Sequence, residues 1–335
     1  MSQRVSKDEL RQRVGAWIAG GKMVAGPVRV KAGTVLYAPL AKADTLLLDG
    51  WTRPANSIKE FVFPRHEALY GYSIDATGIT LHEAAPDLRR QVIVGAHPCD
   101  AAALEILDKL FNWDYRDDFY NRRRAAATVV TLACAAHDDE CFCTSVGLGP
   151  AAERGSDVML FDAGDGSYEA RCVTEKGAAL WGAEIDRAPA GKRAEAAGPA
   201  PRFDPAEVAA FAKEHFENPF WREQALACLG CGACAYTCPV CHCFDIVDEG
   251  NPRGGVRARN WDACQFALFT AHASGHNPRP AQGARQRQRI YHKFLMYPEK
   301  FGEILCTGCG NCARNCPAGL GVLPLVSEIC HAESV

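Results

Sequence analysis

The sequence predicts two domains, a mixed α/β domain over residues 1–203 and a mainly α-helical domain over residues 204–335. A strand, a helix and a second strand follow one another within 91–143, which is the pattern of a βαβ unit. A stretch rich in Ala, Pro and Gly, 187–203, is typical of a domain boundary. The chain has 335 residues, a length that suits two domains, and helical patterns dominate after the boundary.

The first elements follow from hydrophobic spacing. An apolar stripe at helical spacing predicts a first helix over about 7–19. The apolar segments 34–40 and 45–49 have the length and composition of short strands. The segment 158–174 predicts a hairpin that turns at 164–166, where two glycines flank an aspartate.

Two cysteine-bearing segments contain the predicted βαβ unit. Residues 91–111 form an apolar strand, a turn and an amphipathic helix, for which Asp100 is the expected N-cap. Residues 126–143 form a second, β-branched strand that runs into a cysteine-bearing loop. Because open α/β sheets bind ligands beyond the carboxyl ends of their strands, Cys99 and Cys134 lie where a site is expected.

Composition excludes several classes of protein. Lys and Arg total 37 against 40 Asp and Glu, a formal net charge of -3, so nucleic acid is not the expected partner. No apolar run reaches the roughly 18 to 20 residues of a membrane span. The charged N-terminus lacks a secretory signal, so we expect a cytoplasmic protein. In that reducing compartment the 17 cysteines are expected to ligate metals or clusters rather than form disulfides.

The last third of the chain contains the strongest motif, two copies of C-x2-C-x2-C-x3-C-P. This is the bacterial ferredoxin pattern, in which the cysteine before proline ligates the other of two clusters. We therefore expect one [4Fe–4S] cluster at Cys228, Cys231, Cys234 and Cys316, and a second at Cys306, Cys309, Cys312 and Cys238. Zinc is the alternative, but zinc spacings pair two C-x2-C knuckles.

These two motifs make the second domain a ferredoxin-type dicluster domain. The long insert between them includes the helix-like segments 260–274 and 288–302, which indicate the helical variety of this domain. Clusters closed by four thiolates carry single electrons, so the motifs predict electron transfer. A purely structural role for the clusters is the alternative.

Four more cysteines are expected to converge in the first domain. Three form a C-x6-C-x-C pattern and one lies in the segment HPCD: Cys134, Cys141, Cys143 and Cys99. Because they follow neighbouring strands, we expect them to hold a third [4Fe–4S] cluster. A zinc site and scattered buried thiols are the alternatives. His97, Asp100 and His137 are spare ligands if one thiol does not reach.

The remaining cysteines carry less information. Cys241 and Cys243 follow the first motif, and we expect them to pack against a cluster, the alternative being that one replaces a ligand. Cys172, Cys264 and Cys330 are isolated and are expected to be buried packing residues. The sequence contains no glycine-rich nucleotide loop and no Ser/His/Asp arrangement, so no catalytic residue is expected in this chain.

Several segments together resemble one family. They are HPCDAAALEILDKLF, CAAHDDECFCTSVG, CLGCGACAYTCPVCHCFDI and CTGCGNCARNCPAGLGV. From about residue 20 to the C-terminus the chain resembles the iron–sulfur beta subunit of cytoplasmic sulfhydrogenases, which are NAD(P)-linked [NiFe] hydrogenases. It is also similar to the A subunit of anaerobic sulfite reductase.

The resemblance implies a role within a complex. Such a subunit carries electrons between a flavin- and NAD(P)-binding diaphorase subunit and a catalytic subunit, either a [NiFe] hydrogenase or a sulfur or sulfite reductase. Catalysis would then belong to other chains. Two alternatives stay open, a reductase with its own active site in the N-terminal crevice and a structural zinc or cluster protein.

Overall fold

A computed structural model describes residues 3–48, 53–84, 88–186 and 198–332 of the chain. The strands are β1 (Gln3–Ser6), β2 (Met23–Arg29), β3 (Val35–Pro39), β4 (His66–Asp75), β5 (Gly78–Glu83), β6 (Gln91–Ala96), β7 (Ala127–Leu132), β8 (Val158–Asp162), β9 (Ser167–Cys172), β10 (Phe244–Asn251) and β11 (Gly254–Trp261). The helices are α1 (Lys7–Ala19), α2 (Pro98–Leu110), α3 (Asp118–Ala126), α4 (Glu175–Trp181), α5 (Pro205–Glu214), α6 (Phe220–Glu223), α7 (Ala233–Tyr236), α8 (Gln282–Tyr291), α9 (Tyr297–Phe301), α10 (Asn311–Arg314) and α11 (Val322–Ala332). A π-helical turn, His292–Met296, joins α8 to α9.

The first sheet has seven strands in the order β1-β9-β8-β7-β6-β2-β3. Its centre is parallel, since β2, β6, β7 and β8 pair in that sense, and its outer pairs are antiparallel. Alternate strand residues are buried on opposite faces, Val92 with α1 and α4 and Ile93 with α2 and α3. The strand–helix–strand prediction is confirmed, because β6 and β7 are parallel neighbours joined through α2 and α3.

Most N-terminal elements match the expectation from sequence. Helix α1 has the predicted bounds and begins with a capping box between Ser6 and Glu9. The hairpin at 158–174 is present as antiparallel β8 and β9. The predicted strand at 45–49 is wrong for its described part, because Leu46 and Leu48 are buried in the core without pairing as a strand.

The expected N-cap at Asp100 is also wrong. Helix α2 begins one turn earlier, with His97 as N-cap and Pro98 at the first helical position. Asp100 instead lies inside the first turn and is fully buried. Its carboxylate accepts a hydrogen bond from the Tyr37 hydroxyl at 3.1 Å. Asp100 therefore belongs to a buried polar group beside Cys99.

The expectation of a mainly helical C-terminal domain is not confirmed, because a second sheet contributes strands to this region. The four strands of that sheet are antiparallel in the order β10-β11-β4-β5. The hairpin β10–β11 lies in the insert between the two cysteine motifs, and the predicted helix at 260–274 is strand and turn instead. The helix predicted over 288–302 is present in α8, the π-helical turn and α9. This sheet joins β4 and β5, from before the predicted 203/204 boundary, to β10 and β11, from after it. The boundary itself stays a prediction, and residues 187–197 of the segment on which it depends lie outside the described part.

A third core lies among the C-terminal helices. Helix α5 begins at Asp204 as N-cap with Pro205 at the first position, as its sequence indicates. It packs with α8 and α11 around a core that includes Phe211 and Val326. Cysteines of the second motif border this core, so the helices form one wall of the cluster region. Within the described ranges, no helix has both the length and the apolarity to cross a bilayer.

Candidate cluster sites

The structure brings the first predicted set of cysteines together. Four thiols line one cavity: Cys228, Cys231, Cys234 and Cys316. Cys228 and Cys231 come from the loop that leads into α7, and Cys234 lies in α7 itself. Gly230 and Gly232 of that loop adopt the positive φ angles of +66° and +73° that the tight turn requires. The fourth comes from the second motif. This placement has the crossed arrangement that the Cys-Pro spacing predicts.

Hydrogen-bond donors surround the thiols of this first set. The side-chain amides of Gln282 and Gln286 lie 3.1 and 3.3 Å from the sulfur of Cys228. The backbone N–H of Leu320 donates to the sulfur of Cys316 at 3.2 Å. Donors aimed at sulfur stabilise a thiolate and tune a metal centre that it ligates. The cavity therefore has the donor set and the surroundings of a thiolate-bound cluster.

The second set is buried. Its members, each at most 9% exposed, are Cys238, Cys306, Cys309 and Cys312. Burial raises the pKa of Cys306 to about 11 and that of Cys309 to about 12, and the charge of Cys238 contributes to both shifts. Thiols with these pKa values are protonated near neutral pH. Metal binding deprotonates such a buried thiol.

Lys293 places a positive charge beside this second set. Its ammonium lies 3.5 Å from the sulfur of Cys238 and donates to the carbonyl of Leu305 at 3.0 Å. Burial by itself would lower the pKa of Lys293, but the charges of Cys238, Cys241 and Cys306 raise it well above its ordinary value. Lys293 is therefore a buried cation that compensates the negative charge of thiolates.

The N-terminal set also converges. One cavity is lined by Cys99 from the first turn of α2, Cys134 after β7, and Cys141 and Cys143 from the following loop. The sulfur of Cys134 is 3.4 Å from the His97 ring. His137 lines the same cavity, so two of the spare ligand candidates lie close to the thiols. This convergence agrees with the expectation that a site lies beyond the carboxyl ends of the parallel strands.

Two arginines donate to the N-terminal thiols. The guanidinium of Arg53 lies 3.0 Å from the sulfur of Cys99, and that of Arg314 lies 3.2 Å from the sulfur of Cys141. Burial by itself would lower the pKa of Arg53, but Cys99 and Asp100 raise it well above its ordinary value. Arg53 also pairs with Asp100 at 3.5 Å. Both arginines are therefore held charged beside the thiols.

The N-terminal and second sets share a wall. Cys309 lines the N-terminal cavity although it belongs to the second motif. The N–H of Phe142 donates to the carbonyl of Gly308 at 2.9 Å. Arg53 also joins the two sets, because its Nε donates to Asn311 of α10 at 3.1 Å while its other end contacts Cys99 of α2. The two sets are direct neighbours.

Several of these residues were missed by sequence reasoning. Arg53, Lys293, Gln282 and Gln286 stand in no motif, and only their contacts with the thiols indicate their role, which the sequence does not display. Cys264 was expected to be isolated, but it lines the same cavity as Cys243. That pair is adjacent because the β10–β11 hairpin brings its two ends together.

Comparison with known proteins agrees with the motif. Residues 227–320 match the family described as 4Fe-4S dicluster domain. The chain is 31% identical over 320 residues to sulfhydrogenase 2 subunit beta of Pyrococcus furiosus, an alignment that covers 91% of this chain and 92% of the relative. The chain belongs to the family of sulfhydrogenase beta subunits. It contains a 4Fe-4S dicluster domain, and no solved structure matches it significantly.

The residues of this sulfhydrogenase-family chain fit the group that the family implies. Each predicted set has four thiols. Hydrogen-bond donors lie at the sulfurs of the first and N-terminal sets, and a buried lysine lies beside a sulfur of the second set. In the described parts of the chain, no three His, Cys, Asp or Glu side chains converge closely enough to chelate a single metal ion. A [4Fe–4S] cluster requires its four thiols to lie farther apart than the ligands of a single ion, because each thiolate ligates a different iron.

Proposed function

We propose that this chain is the electron-transfer subunit of a cytoplasmic complex. It carries electrons between a flavin- and NAD(P)-binding diaphorase subunit and a catalytic subunit, which is a [NiFe] hydrogenase or a sulfur or sulfite reductase. The observation that carries the proposal is the order of the three cysteine sets, which lie one after another through the protein. A [4Fe–4S] cluster in each set would supply one-electron transfer.

The order follows from contacts between neighbouring sets. Cys309 lines the N-terminal cavity and also interacts with Cys238 and Cys312 of its own set. Burial raises the pKa of Cys234, which belongs to the first set, to about 11, and the nearby charges of Cys312 and Cys238 add to the shift. The second set therefore lies between the N-terminal set and the first set.

One end of this order reaches the surface. Cys231 of the first set is exposed, whereas the second set is buried. Leu226 and Leu229 on the same loop are 80% and 72% exposed. Apolar side chains around an exposed ligand are suited to a transient interface with a redox partner. We assign the exchange of electrons with a partner subunit to this end.

The chain's own residues would hold charge and exclude water. Each cluster with four thiolates adds roughly two negative charges in its oxidised resting form. Lys293 and Arg53 lie buried beside the sulfurs and oppose that charge. The buried second set is shielded from solvent, which limits reorganisation around it. These features suit an electron carrier and require no substrate pocket.

Metal analysis of the purified chain tests the proposal. Three clusters predict about 12 iron and about 12 sulfide per chain, with the broad visible absorption of iron–sulfur proteins. A content of about 8 iron per chain would contradict the N-terminal cluster and leave the other two. A colourless zinc protein would contradict the proposal as a whole. Purification of the native complex is expected to recover a flavoprotein with this chain.

A further inference from the structure

A cavity of about 460 Å³ lies outside the three cysteine sets, between the β10–β11 hairpin and the segment α8–α9. Its apolar walls include Trp113, Phe244, Phe269, Tyr297 and Phe301. A volume of this size holds a small molecule, and such sites are mostly apolar with a few placed polar groups. The cavity therefore has the dimensions of a ligand site.

Two thiols from the two ends of the β10–β11 hairpin line this cavity. Cys243 precedes β10 and Cys264 follows β11, and both line the cavity. The N–H of Asp262 donates to the Cys243 carbonyl at 2.9 Å and holds the two segments together. The hydrogen bond from the Cys243 thiol, with support from Gln265, lowers the pKa of Cys264 to about 6 and raises that of Cys243. One thiol of the pair is thus a thiolate near neutral pH, and the other carries a proton.

The polar groups of the cavity favour a negative ligand. Arg279, Arg289 and Lys300 line it, and none of its lining residues is acidic. Arg289 is 4% exposed, and its three guanidinium nitrogens have no hydrogen-bond partner in the described structure. A buried guanidinium without partners is costly, and the thiols whose negative charge acts on it are Cys234 and Cys312 of the cluster sets, then Cys241 and Cys264. Arg289 therefore lies between the cluster sets and this cavity.

The two histidines of the cavity add no charge. Burial lowers the pKa of His242 to about 3 and that of His292 to about 4, so both rings are neutral at pH 7. They lie with their rings 5.2 Å apart. The charge of the cavity near pH 7 therefore comes from the three cations and the Cys264 thiolate, and it is positive overall.

We propose that Cys243 and Cys264 form a redox-active dithiol that reduces an anionic, partly apolar organic disulfide bound in this cavity. The Cys264 sulfur attacks one sulfur of the ligand, forms a mixed disulfide and releases one thiolate. Cys243 then loses its proton and attacks the sulfur of Cys264, which releases the second thiol. The products are a Cys243–Cys264 disulfide and two thiols, so two electrons pass from the protein to the ligand. A dithiol reductant in solution returns the pair to its starting state.

The proposal rests on the proposed function in one respect, because it requires that neither thiol ligates a cluster. The test uses the reduced, cluster-loaded chain and dithiobis(nitrobenzoate), an aromatic dianion, under anaerobic conditions. We expect one equivalent of this disulfide to yield two equivalents of nitrothiobenzoate, with iron content unchanged. Peptide mass mapping is expected to find the Cys243–Cys264 disulfide. Cystamine, an aliphatic dication, is expected to react at least about tenfold more slowly.

Variants separate this dithiol from other thiols. Cys264→Ser is expected to abolish the fast reaction, and Cys243→Ser to stop at a mixed disulfide on Cys264. Cys172→Ala, which changes a buried thiol of β9, is the matched control and keeps the reaction. Lys300→Gln is expected to slow the reaction of the dianion and to speed that of cystamine, because it removes one positive charge from the cavity.

Three outcomes would overturn the proposal. They are an unreactive pair in the folded chain, equal rates for the dianion and the dication, and loss of iron in either serine variant or during the reaction. The last outcome would make the two thiols part of the cluster sites and would leave the electron-transfer proposal standing. Normal dithiol chemistry in a chain that carries no iron would contradict the proposed function alone.

Discussion

A Cβ atom on Gly308 would lie 2.5 Å from the Cα of Cys143. Gly308 belongs to the second cysteine motif, and Cys143 belongs to the loop of the N-terminal set. Gly308 also has a φ of +62°, which side chains other than glycine rarely adopt. The two cluster loops are therefore in backbone contact, which places the N-terminal set beside the second set.

The first prediction is that Gly308→Ala disrupts two sites at once. The added methyl group cannot fit without moving one loop, so we expect iron loss from both the second and the N-terminal sets. Gly302→Ala is the matched control, since Gly302 has a similar φ of +72° but open space around its Cβ position. That control is expected to lose only about 1–2 kcal/mol of stability. Iron per chain and thermal unfolding measure both effects, and full iron in Gly308→Ala would contradict the shared wall.

Local patterns predicted the parts of the fold that depend on neighbouring residues. The bounds of α1 follow from Ser6, Glu9 and an apolar stripe, all within one segment. The motif spacing predicts the crossing of Cys316 to the first loop, and the structure places that thiol there. The parallel pairing of β6 and β7 follows from two apolar strands with a helix between them.

The parts that the sequence did not predict depend on distant partners. Strand β11 pairs with β4, which lies about half the chain away, so no local pattern predicts the sheet that they form. The ring of Phe63 stacks on the ring of Trp261, the last residue of β11, with 5.7 Å between the ring centroids. Arg53 contacts Cys99 and Asn311, and only the folded chain brings those residues together.

The second prediction concerns the crossed ligands. Cys316→Ser is expected to alter the cluster at Cys228, because that thiol lines the cavity of the first loop. Cys312→Ser is the control, and it is expected to alter the second cluster instead. Electron paramagnetic resonance of the reduced chain distinguishes the two clusters. If Cys316→Ser changes only the signal that Cys312→Ser changes, the crossed assignment is wrong.

The third prediction concerns the charge of Arg53. Its guanidinium lies 3.0 Å from the sulfur of Cys99, and a positive charge favours the reduced, more negative state of a cluster. Arg53→Gln is therefore expected to lower the reduction potential of the N-terminal cluster by tens of millivolts. Arg4→Gln, which removes an exposed cation paired with Asp165, is expected to leave every potential unchanged. A redox titration followed by spectroscopy measures the shift, and equal potentials in wild type and Arg53→Gln would contradict the assigned role.

The fourth prediction concerns the ion pair between Asp138 and Arg314, which ties the N-terminal thiol loop to the second motif. Burial by itself would raise the pKa of Asp138, but the hydrogen bond from Arg314, 2.6 Å from Nε to the carboxylate, lowers it from 3.8 to about 2. Because the folded pKa is the lower one, the pair stabilises the fold above about pH 4 and loses this effect between about pH 4 and pH 2. Asp138 is 36% exposed, so solvent screening reduces the contribution to about 1 kcal/mol.

Asp138→Asn is therefore expected to lower the free energy of unfolding by about 1 kcal/mol, and by the same amount at every pH from 5 to 8. The variant also weakens the hold on Arg314, whose other end contacts the sulfur of Cys141 at 3.2 Å. We therefore expect faster release of iron from the N-terminal set to a chelator, with the first set unaffected. Denaturant unfolding at several pH values measures the first effect, and chelator kinetics the second. A stability difference that shrinks already between pH 8 and pH 6 would show that another group titrates in place of Asp138.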